Sequence, residues 1–337
     1  MPNKMKAAVL SAPGGPEALE IRDVEIPRLA SDSRVLVRLK AAALNPADAY
    51  FRAFGPYIDD GAPCILGHDG AGIVEEIGSE LSLVQPGQRV CFCNGGIGGD
   101  FGTYAEFAVV PESQLAVIPD SIDDLTAAAL PLTFITGWES LYDRARLIAG
   151  EHVLVHAGAG GTGHIAVQLA ALRGAKVAAT ISSDEKAELV KNLGAEKPVF
   201  YRDEDFVKAA LDWTGGRGLD VAFDNIGPQG MQKTFSAMAP YGRVVTLMGT
   251  PGDDAEETAY VKNLSILNVM MLTPMLLGLQ ARLDEQAAIV RKGLELLAED
   301  KLRVIIKSRF KLDDITAAHS LLDVGSTTGK IVIQINE

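Results

Sequence analysis

A glycine-rich stretch near the middle of the chain constrains the fold more than any other feature. It begins with an apolar run at 153–155 and ends in a helix-compatible apolar run at 165–172. Between these runs the spacing G-x-G-x-x-G is formed by Gly158, Gly160 and Gly163, with Gly161 and Thr162 before the last glycine. Glycine allows a sharp turn and the close approach of a phosphate, and the helix directs free N–H groups at that phosphate. The stretch therefore predicts a dinucleotide-binding strand, turn and helix, with a purely structural turn as the alternative.

Length and charge narrow the class of protein. The chain has 337 residues, of which 47% are hydrophobic and 22% charged, and this indicates a globular protein of two domains. The formal net charge of −13 argues against nucleic acid and against an anionic membrane surface as partners, because both favour a basic face. The expected partner is a small molecule.

The cysteines and the apolar stretches indicate a cytoplasmic protein. Cys64, Cys91 and Cys93 are too few for a disulfide framework or for a zinc site of four thiolates, so we expect a reducing compartment. The N-terminus lacks the long apolar region of a secretion signal. The apolar stretch 269–278 is too short to span a bilayer.

Two patterns of secondary structure follow each other along the chain. Residues 1–125 are rich in short strands and glycine turns, which predicts a small β-barrel or folded sheet. Strands and helices alternate over 126–261, which predicts a doubly wound parallel sheet. Residues 262–337 contain a long amphipathic helix and two strands, one of them at 304–306, and we expect this segment to return to the first domain. The predicted fold class is α/β.

Four segments carry a family resemblance when they are taken together. They are ALNPADAYFR at 43–52, LGHDGAGIV at 66–74, AAALPLTFITGW at 127–138 and GSTTGKIV at 325–332. With these motifs in this order, the chain resembles the zinc-independent quinone oxidoreductase branch of the medium-chain dehydrogenase/reductase superfamily. The resemblance implies a GroES-like β-rich catalytic domain (1–125 and 262–337) and a Rossmann NADP-binding domain (126–261). It also implies NADPH in a cleft and a homodimer formed by edge-to-edge pairing of Rossmann sheets.

The residues at the positions of a catalytic zinc site do not form one. Zinc-dependent members of the superfamily use cysteine, histidine and cysteine, but this chain carries Asn45 at the first position and no cysteine near 132–133. His68 is present, yet one imidazole does not hold a tetrahedral zinc ion. A weak metal pair of His68 and Asp69 is the alternative to a hydrogen-bonded histidine. Without a Lewis acid, the sequence favours quinones and α,β-unsaturated carbonyl compounds, whose conjugated π-systems spread the incoming charge.

The end of the second predicted Rossmann strand indicates the cofactor. A site for NAD places Asp or Glu there to bind the ribose 2′-hydroxyl, and such a carboxylate repels a 2′-phosphate. This chain has Ser182 instead, which together with Glu185 also predicts a capping box for the following helix. In the resembling family a lysine matching Lys186 and a tyrosine matching Tyr201 contact the 2′-phosphate, so we expect NADPH. A solvated Lys186 paired with a neighbouring glutamate is the alternative.

Three residues are candidates for a catalytic role. Asn45 and Asp48 are expected to line the cleft floor, or else to form a turn and cap a helix. Tyr50 matches a family tyrosine beside the nicotinamide and is expected to donate to a substrate oxygen, with a packed aromatic ring as the alternative. Arg52 is expected to bind a cofactor phosphate or the carboxylate of Asp48.

Further cofactor contacts are expected at strand ends and beside the Rossmann core. The predicted positions are Thr133, Asn225, Met248, Gly249 and Lys330. For Thr133 the alternative is a buried helix threonine. Lys330 resembles a family cation near the cofactor, and a lysine at a sheet edge is the alternative.

These features predict a zinc-independent, NADPH-dependent reductase of quinones or α,β-unsaturated carbonyl compounds, with no metal in its site. The nicotinamide would deliver hydride to the conjugated acceptor, and no side chain stands out as the proton donor. The alternatives are a zinc-type alcohol dehydrogenase and a nucleotide-binding protein without turnover, as some crystallins are.

Overall fold

A computed structural model describes residues 4–29, 31, 33–58, 64–79, 83–99, 101–249 and 256–336. The chain divides into two compact units. Unit 1 consists of Met1–Leu132 and Leu272–Glu337, and unit 2 consists of Thr133–Met271. Unit 2 is therefore a continuous segment inserted into a discontinuous unit 1.

Strands and helices are numbered along the chain. The strands are β1 (Lys4–Leu10), β2 (Leu19–Glu25), β3 (Arg34–Ala43), β4 (Cys64–Ile65), β5 (Asp69–Ile77), β6 (Arg89–Cys93), β7 (Phe107–Pro111), β8 (Ala116–Val117), β9 (His152–Val155), β10 (Lys176–Ile181), β11 (Lys197–Phe200), β12 (Leu219–Asp224), β13 (Met238–Thr246), β14 (Ser265–Asn268), β15 (Ile306–Lys311) and β16 (Lys330–Gln334). The helices are α1 (Pro46–Phe54), α2 (Asp124–Ala129), α3 (Pro131–Trp138), α4 (Gly163–Leu172), α5 (Asp184–Asn192), α6 (Phe206–Trp213), α7 (Pro228–Ala237), α8 (Glu256–Val261), α9 (Thr273–Leu276), α10 (Gln280–Ala298) and α11 (Ile315–Asp323).

Unit 1 contains two sheets. One has the order β2-β1-β4, and the larger has the order β15-β16-β3-β5-β6-β8 with β7 also paired to β3. Successive side chains of a strand point to opposite faces, so Val35, Val37 and Leu39 of β3 share one face and pack in a buried core with Val90 and Phe92 of β6. The antiparallel pairing of β16 with β3 brings the end of the chain back to its first third, as predicted.

Unit 2 contains one parallel sheet of six strands, in the order β11-β10-β9-β12-β13-β14. Helices connect successive strands, and the strands bury continuous apolar runs because a parallel sheet is covered on both faces. Leu154 of β9, Ala178 of β10 and Ala222 of β12 belong to one buried core with Phe235 of α7. This architecture confirms the predicted doubly wound parallel sheet.

The unit boundaries lie later in the chain than the predicted positions near 126 and 261. α2 belongs to unit 1 because Ala129 packs with Ala43 of β3 and Val332 of β16. β14 belongs to unit 2 because it pairs with β13 as the sixth strand of the parallel sheet. The sequence interpretation had no separate strand for this four-residue segment.

Two local predictions are wrong. The N-cap of α5 is Ser183, whose hydroxyl accepts the Lys186 N–H, so Ser182 does not form a capping box. Both serines suit an N-cap, and the extended backbone at Ser183 decides between them. The strand expected at 304–306 begins only at Ile306, as β15. Its side chains alternate between half-buried and exposed, the pattern of an edge strand rather than of an apolar run.

Across the residues that the structure describes, no helix combines the length and the apolar character that crossing a membrane would require.

Candidate active site

The predicted cofactor residues of unit 2 collect at one edge of its sheet. Because the strands are parallel, their carboxyl ends meet at the same edge, where dinucleotides bind in sheets of this type. The turn at 158–163 follows β9 at this edge. The predicted residues that follow the other strands are Ser182 after β10, Tyr201 after β11, Asn225 after β12, and Met248 and Gly249 after β13.

The glycine turn is held tightly against its own backbone and against β10. The Gly158 N–H donates to the Thr180 carbonyl oxygen at 3.0 Å. A Cβ on Gly158 would lie 2.7 Å from the Ala179 Cβ, and a Cβ on Gly163 would lie 2.1 Å from the Ala157 carbonyl oxygen. Both glycines are therefore required by close approach.

The end of this turn offers donors for an anion. Within the described part of the chain, the backbone N–H groups of Gly161 and Thr162 donate to no protein acceptor. They lie immediately before Gly163, the first residue of the ten-residue helix α4. Free N–H groups and the positive end of a helix dipole bind phosphate, so this segment fits the diphosphate of a dinucleotide.

Ser182, Lys186 and Tyr201 follow two neighbouring strands. Ile181 and Phe200 are paired in the sheet, so Ser182 and Tyr201 directly follow partners in register. The Lys186 ammonium lies 3.4 Å from the Ser182 hydroxyl, and the Tyr201 ring is exposed. Among these three side chains there is a cation and there are two hydroxyls, and there is no carboxylate.

The remaining predicted cofactor residues of unit 2 differ in accessibility. The Asn225 Oδ1 is buried and has no partner among the described residues, while Met248 is exposed. Gly249 has φ +88° and its carbonyl oxygen accepts the Thr246 hydroxyl at 2.9 Å. Thr133 lies in α3 and is 2% exposed, and its contact with the nucleotide stays a prediction.

Unit 1 contains a buried polar cluster, formed by Asn45, Asp48, His68, Asp69, Tyr104 and Lys330. Asn45 is the residue before α1, and its backbone N–H donates to Asp48 Oδ2 at 2.7 Å. Asn45 and Asp48 are 1% and 0% exposed, so the helix-capping alternative describes them. Both side chains are buried in the folded chain, and their place at a cleft floor stays a prediction.

Asp48 is the anionic centre of this cluster. Its Oδ1 lies 2.5 Å from His68 Nδ1, and its Oδ2 accepts the Tyr104 hydroxyl at 2.9 Å. Burial alone would raise the pKa of Asp48, but His68, His319 and the Asn45 N–H together outweigh burial and lower the pKa. The His68 Nε2 is buried without a partner among the described residues. Tyr104 had no distinguishing pattern in the sequence.

Lys330 lies in the same cluster. Its ammonium donates to the Asn45 Oδ1 at 2.5 Å and to Asp69 Oδ2 at 3.3 Å, and the side chain is 2% exposed. Burial raises the pKa of Asp69, while Lys330 opposes that shift. β16 lies between β15 and β3, so the sheet-edge alternative for Lys330 is wrong. The structure shows Lys330 bound to the candidate catalytic residue Asn45.

Two other residues of α1 differ in their surroundings. Tyr50 is 59% exposed, and its ring contacts Phe54 at a centroid distance of 4.9 Å, so it is not a packed core residue. Arg52 is buried and binds the carboxylate of Asp323 at 2.8 Å and His319 Nδ1 at 3.0 Å. The expectation that Arg52 binds Asp48 or a phosphate is therefore wrong, because α11 supplies its partners.

The unit 1 cluster does not match the ligand set of a zinc ion. Among the described residues, no group of three or more His, Cys, Asp or Glu side chains is placed to hold a metal. Asn45 and His68 alone do not supply the tetrahedral set of thiolate and imidazole ligands that zinc takes in proteins. No cysteine of the chain forms a disulfide.

Comparison with known proteins decides the family. Residues 31–120 match the alcohol dehydrogenase GroES-like domain, and residues 193–333 match the zinc-binding dehydrogenase domain. The chain is 34% identical to a quinone oxidoreductase of Pseudomonas aeruginosa, over 97% of this chain and 99% of that protein. The chain belongs to the medium-chain dehydrogenase/reductase superfamily, in its quinone oxidoreductase branch. Unit 1 is its GroES-like part and unit 2 its Rossmann part, and the protein is an oxidoreductase of a family that uses a nicotinamide cofactor.

Other members of the family have related sequences and folds. A 2-haloacrylate reductase of a Burkholderia species is 30% identical over 97% of this chain and 98% of that protein. The quinone oxidoreductase structure of Pseudomonas syringae pv. tomato has a TM-score of 0.86 and 33% identity, over 98% of this chain and 99% of that one. The chain also matches a much longer polyketide synthase subunit of Mycobacterium tuberculosis at 34% identity, but it covers 14% of that protein.

Proposed function

We propose that this protein transfers hydride from NADPH to quinones or α,β-unsaturated carbonyl compounds without a zinc ion. The observation that carries the proposal is the carboxyl edge of the unit 2 sheet. There the Gly161 and Thr162 N–H groups are available to a diphosphate, and Ser182 replaces the carboxylate of an NAD site. When bound, the nicotinamide supplies the hydride.

The preference for NADPH over NADH rests on three side chains. Ser182 is half-buried and carries no charge that would repel a 2′-phosphate. Lys186 supplies a cation 3.4 Å from the Ser182 hydroxyl, and the Tyr201 hydroxyl follows the neighbouring strand. We therefore assign the 2′-phosphate to these residues, and the remaining nucleotide contacts to the turn at 158–163 and to Thr133, Asn225, Met248 and Gly249.

The choice of acceptor rests on the chemistry of unit 1. Asn45 and Lys330 present an amide and an ammonium, and neither polarises a carbonyl as a zinc ion does. A quinone or enone accepts hydride with less help because its conjugated system delocalises the negative charge. The 2-haloacrylate reductase and quinone oxidoreductase relatives are named for acceptors of this electron-poor type.

Three residues of α1 and its N-cap receive roles in this proposal. Tyr50 is the substrate-contacting residue, since its ring is exposed at the surface of unit 1. Asn45 and Asp48 act by positioning, because both are buried and their polar atoms are bound within the cluster. Lys330 holds the Asn45 side chain. We propose this positioning role for Lys330 in place of a direct contact with the cofactor.

We also propose a homodimer in the cytoplasm. β14 ends the described sheet order of unit 2, so one edge of this strand has no described partner strand. Tyr260 and Val261, at the end of α8 just before β14, are 87% and 75% exposed. Pairing of two such edges across a twofold axis would cover these side chains. The cytoplasmic location rests on cysteines that form no disulfide.

The test is rapid-mixing measurement of NADPH oxidation with quinones, enals and saturated aldehydes, together with metal analysis of the same preparation. We expect oxidation with the conjugated acceptors, slow or no reaction with saturated aldehydes, and no loss of rate after chelator treatment. Stoichiometric zinc with alcohol oxidation would instead identify an alcohol dehydrogenase. NADPH binding without turnover on any acceptor would identify a nucleotide-binding protein. Light scattering tests the dimer.

A further inference from the structure

A buried histidine comes just before the glycine turn in the chain and takes no part in the function described above. His156 follows the last residue of β9 and is 1% exposed. Its Nε2 lies 3.0 Å from the Thr234 hydroxyl on α7, and its Nδ1 lies 3.4 Å from the Thr180 hydroxyl on β10. The imidazole therefore connects three elements of unit 2.

The hydrogen-bond donors of this group can be ordered in one direction. The Ala157 N–H donates to the Thr180 hydroxyl oxygen at 2.9 Å. The Thr180 hydroxyl then donates to His156 Nδ1, and His156 Nε2–H donates to the Thr234 hydroxyl. The Thr234 hydroxyl in turn donates to the Gly230 carbonyl oxygen at 3.4 Å. This order uses a neutral imidazole and gives every one of these protons an acceptor.

The protonation state of His156 agrees with this order. Burial lowers the pKa of His156 to about 4, with no charged side chain contributing to the shift. The imidazole is therefore uncharged near neutral pH and has one donor and one acceptor nitrogen.

The turn that follows His156 contains a strained residue that hydrogen bonds must hold in place. Ala157 has φ +47°, in the left-handed region that a residue with a Cβ rarely adopts. Its N–H is bound to Thr180, and its carbonyl oxygen accepts the Gly160 N–H at 2.9 Å. These contacts set the direction in which Gly161 and Thr162 present their N–H groups.

We propose that His156 is a positioning residue for the cofactor. Through Thr180 it fixes the start of the diphosphate turn, and through Thr234 it fixes the first turn of α7, where Gly230 lies. The segment before α7 contains Asn225, a candidate cofactor contact. One imidazole thus sets the positions of two cofactor-facing segments. The inference rests on the proposed binding of a nicotinamide nucleotide to this edge.

The test uses threonine variants, because a substitution of His156 itself risks the fold. Thr234→Val keeps the volume of the side chain, removes the hydroxyl and lies outside the turn. Thr234→Ser keeps the hydroxyl and serves as the conservative variant. Thr214→Val is the matched control: like the Thr234 hydroxyl, the Thr214 hydroxyl accepts one N–H, here that of the Gly218 backbone, and donates to a backbone carbonyl, but Thr214 follows α6, before β12 begins.

Calorimetric titration with NADPH, steady-state kinetics and thermal unfolding are measured on each variant. We expect the dissociation constant for NADPH to rise about tenfold in Thr234→Val and in Thr180→Val. It should return to within about twofold of the original value in Thr234→Ser, and kcat at saturating NADPH should change by less than about twofold in all of them. Thr214→Val should lower the melting temperature without changing NADPH affinity.

Two outcomes overturn the inference, and they are distinguishable. If the unmodified protein binds NADPH and Thr234→Val lowers only the melting temperature, His156 has a purely structural role and the proposed function stands. If the unmodified protein binds neither NADPH nor NADH, the proposed function fails and this inference fails with it.

Discussion

The Lys330 ammonium lies 2.5 Å from the side-chain oxygen of Asn45, although the two residues are 285 positions apart along the chain. The amide of Asn45 in turn donates to Asp69 Oδ2 at 2.9 Å, and Asp69 Oδ1 accepts the Leu132 N–H at 2.8 Å. Both chain segments of unit 1, Met1–Leu132 and Leu272–Glu337, thus contribute to one buried cluster. The cluster includes the Lys330–Asp69 ion pair.

Removal of the Lys330 cation should destabilise unit 1. Lys330→Met leaves Asp69 buried without its counter-charge, and we expect a loss of about 3 kcal/mol in the free energy of unfolding, measured by urea denaturation. Lys191→Met, which breaks the exposed Lys191–Glu188 pair, should cost less than about 0.5 kcal/mol. Equal stabilities of the two variants would contradict the importance of the buried pair.

Alanine substitutions in the glycine turn should separate stability from cofactor binding. Gly163→Ala places a Cβ 2.1 Å from the Ala157 carbonyl oxygen, so we expect a loss of about 2 kcal/mol in stability. Gly160→Ala places its Cβ 3.2 Å from the same oxygen and should fold with a smaller loss. It should nevertheless bind NADPH at least about tenfold more weakly, because a Cβ there obstructs the diphosphate. Unchanged NADPH affinity in Gly160→Ala would place the nucleotide elsewhere.

A carboxylate at position 182 should reverse the cofactor preference. In Ser182→Asp, we expect the ratio of kcat/KM for NADPH to that for NADH to fall at least about tenfold, because the new charge repels the 2′-phosphate and can bind a ribose hydroxyl. Lys186→Met should lower the same ratio because it weakens the binding of NADPH and leaves the binding of NADH unchanged. Lys191→Met, on the same helix, is the control and should leave the ratio unchanged. A ratio that is insensitive to Ser182→Asp counts against NADPH at this position.

Two buried histidines should make the stability depend on pH in a defined window. Burial lowers the pKa of His156 and of His319 from 6.5 to about 4 in the folded protein. The unfolded chain binds protons more readily, so stability is constant above pH 6.5, falls as the pH falls towards 4, and levels off below that for these groups. Each histidine contributes a loss of up to about 3 kcal/mol. Urea denaturation at a series of pH values measures it, and His319→Gln should flatten the curve.

The local patterns of the chain allowed prediction of much of unit 2. The glycine spacing and the alternation of strands with helices are periodic, and the residues after each strand could be assigned to one edge because parallel strands end together. The exact cap of α5 could not be predicted, since Ser182 and Ser183 are both good N-caps and backbone conformation decides between them. β14 was missed because a four-residue strand carries little pattern.

The buried cluster of unit 1 lay beyond sequence reasoning for a different reason. Asn45, Asp48 and Lys330 were recognised as candidates, but their mutual contacts depend on the pairing of β16 with β3 and on the capping of α1. Tyr104 and His156 carried no signal, because a lone aromatic or histidine in an apolar region does not reveal its partner. Such long-range contacts follow from the register of the sheet rather than from local pattern.

The pairing of Val332 in β16 with Ala43 in β3 also has a consequence for biosynthesis. The whole of Thr133–Met271 leaves the ribosome before β16 is made, so the inserted unit can fold while β3 still lacks its neighbour along Ala41–Ala43. An uncovered strand edge invites pairing with other nascent chains. The yield of native protein should therefore depend on how well chaperones shield that edge during the delay.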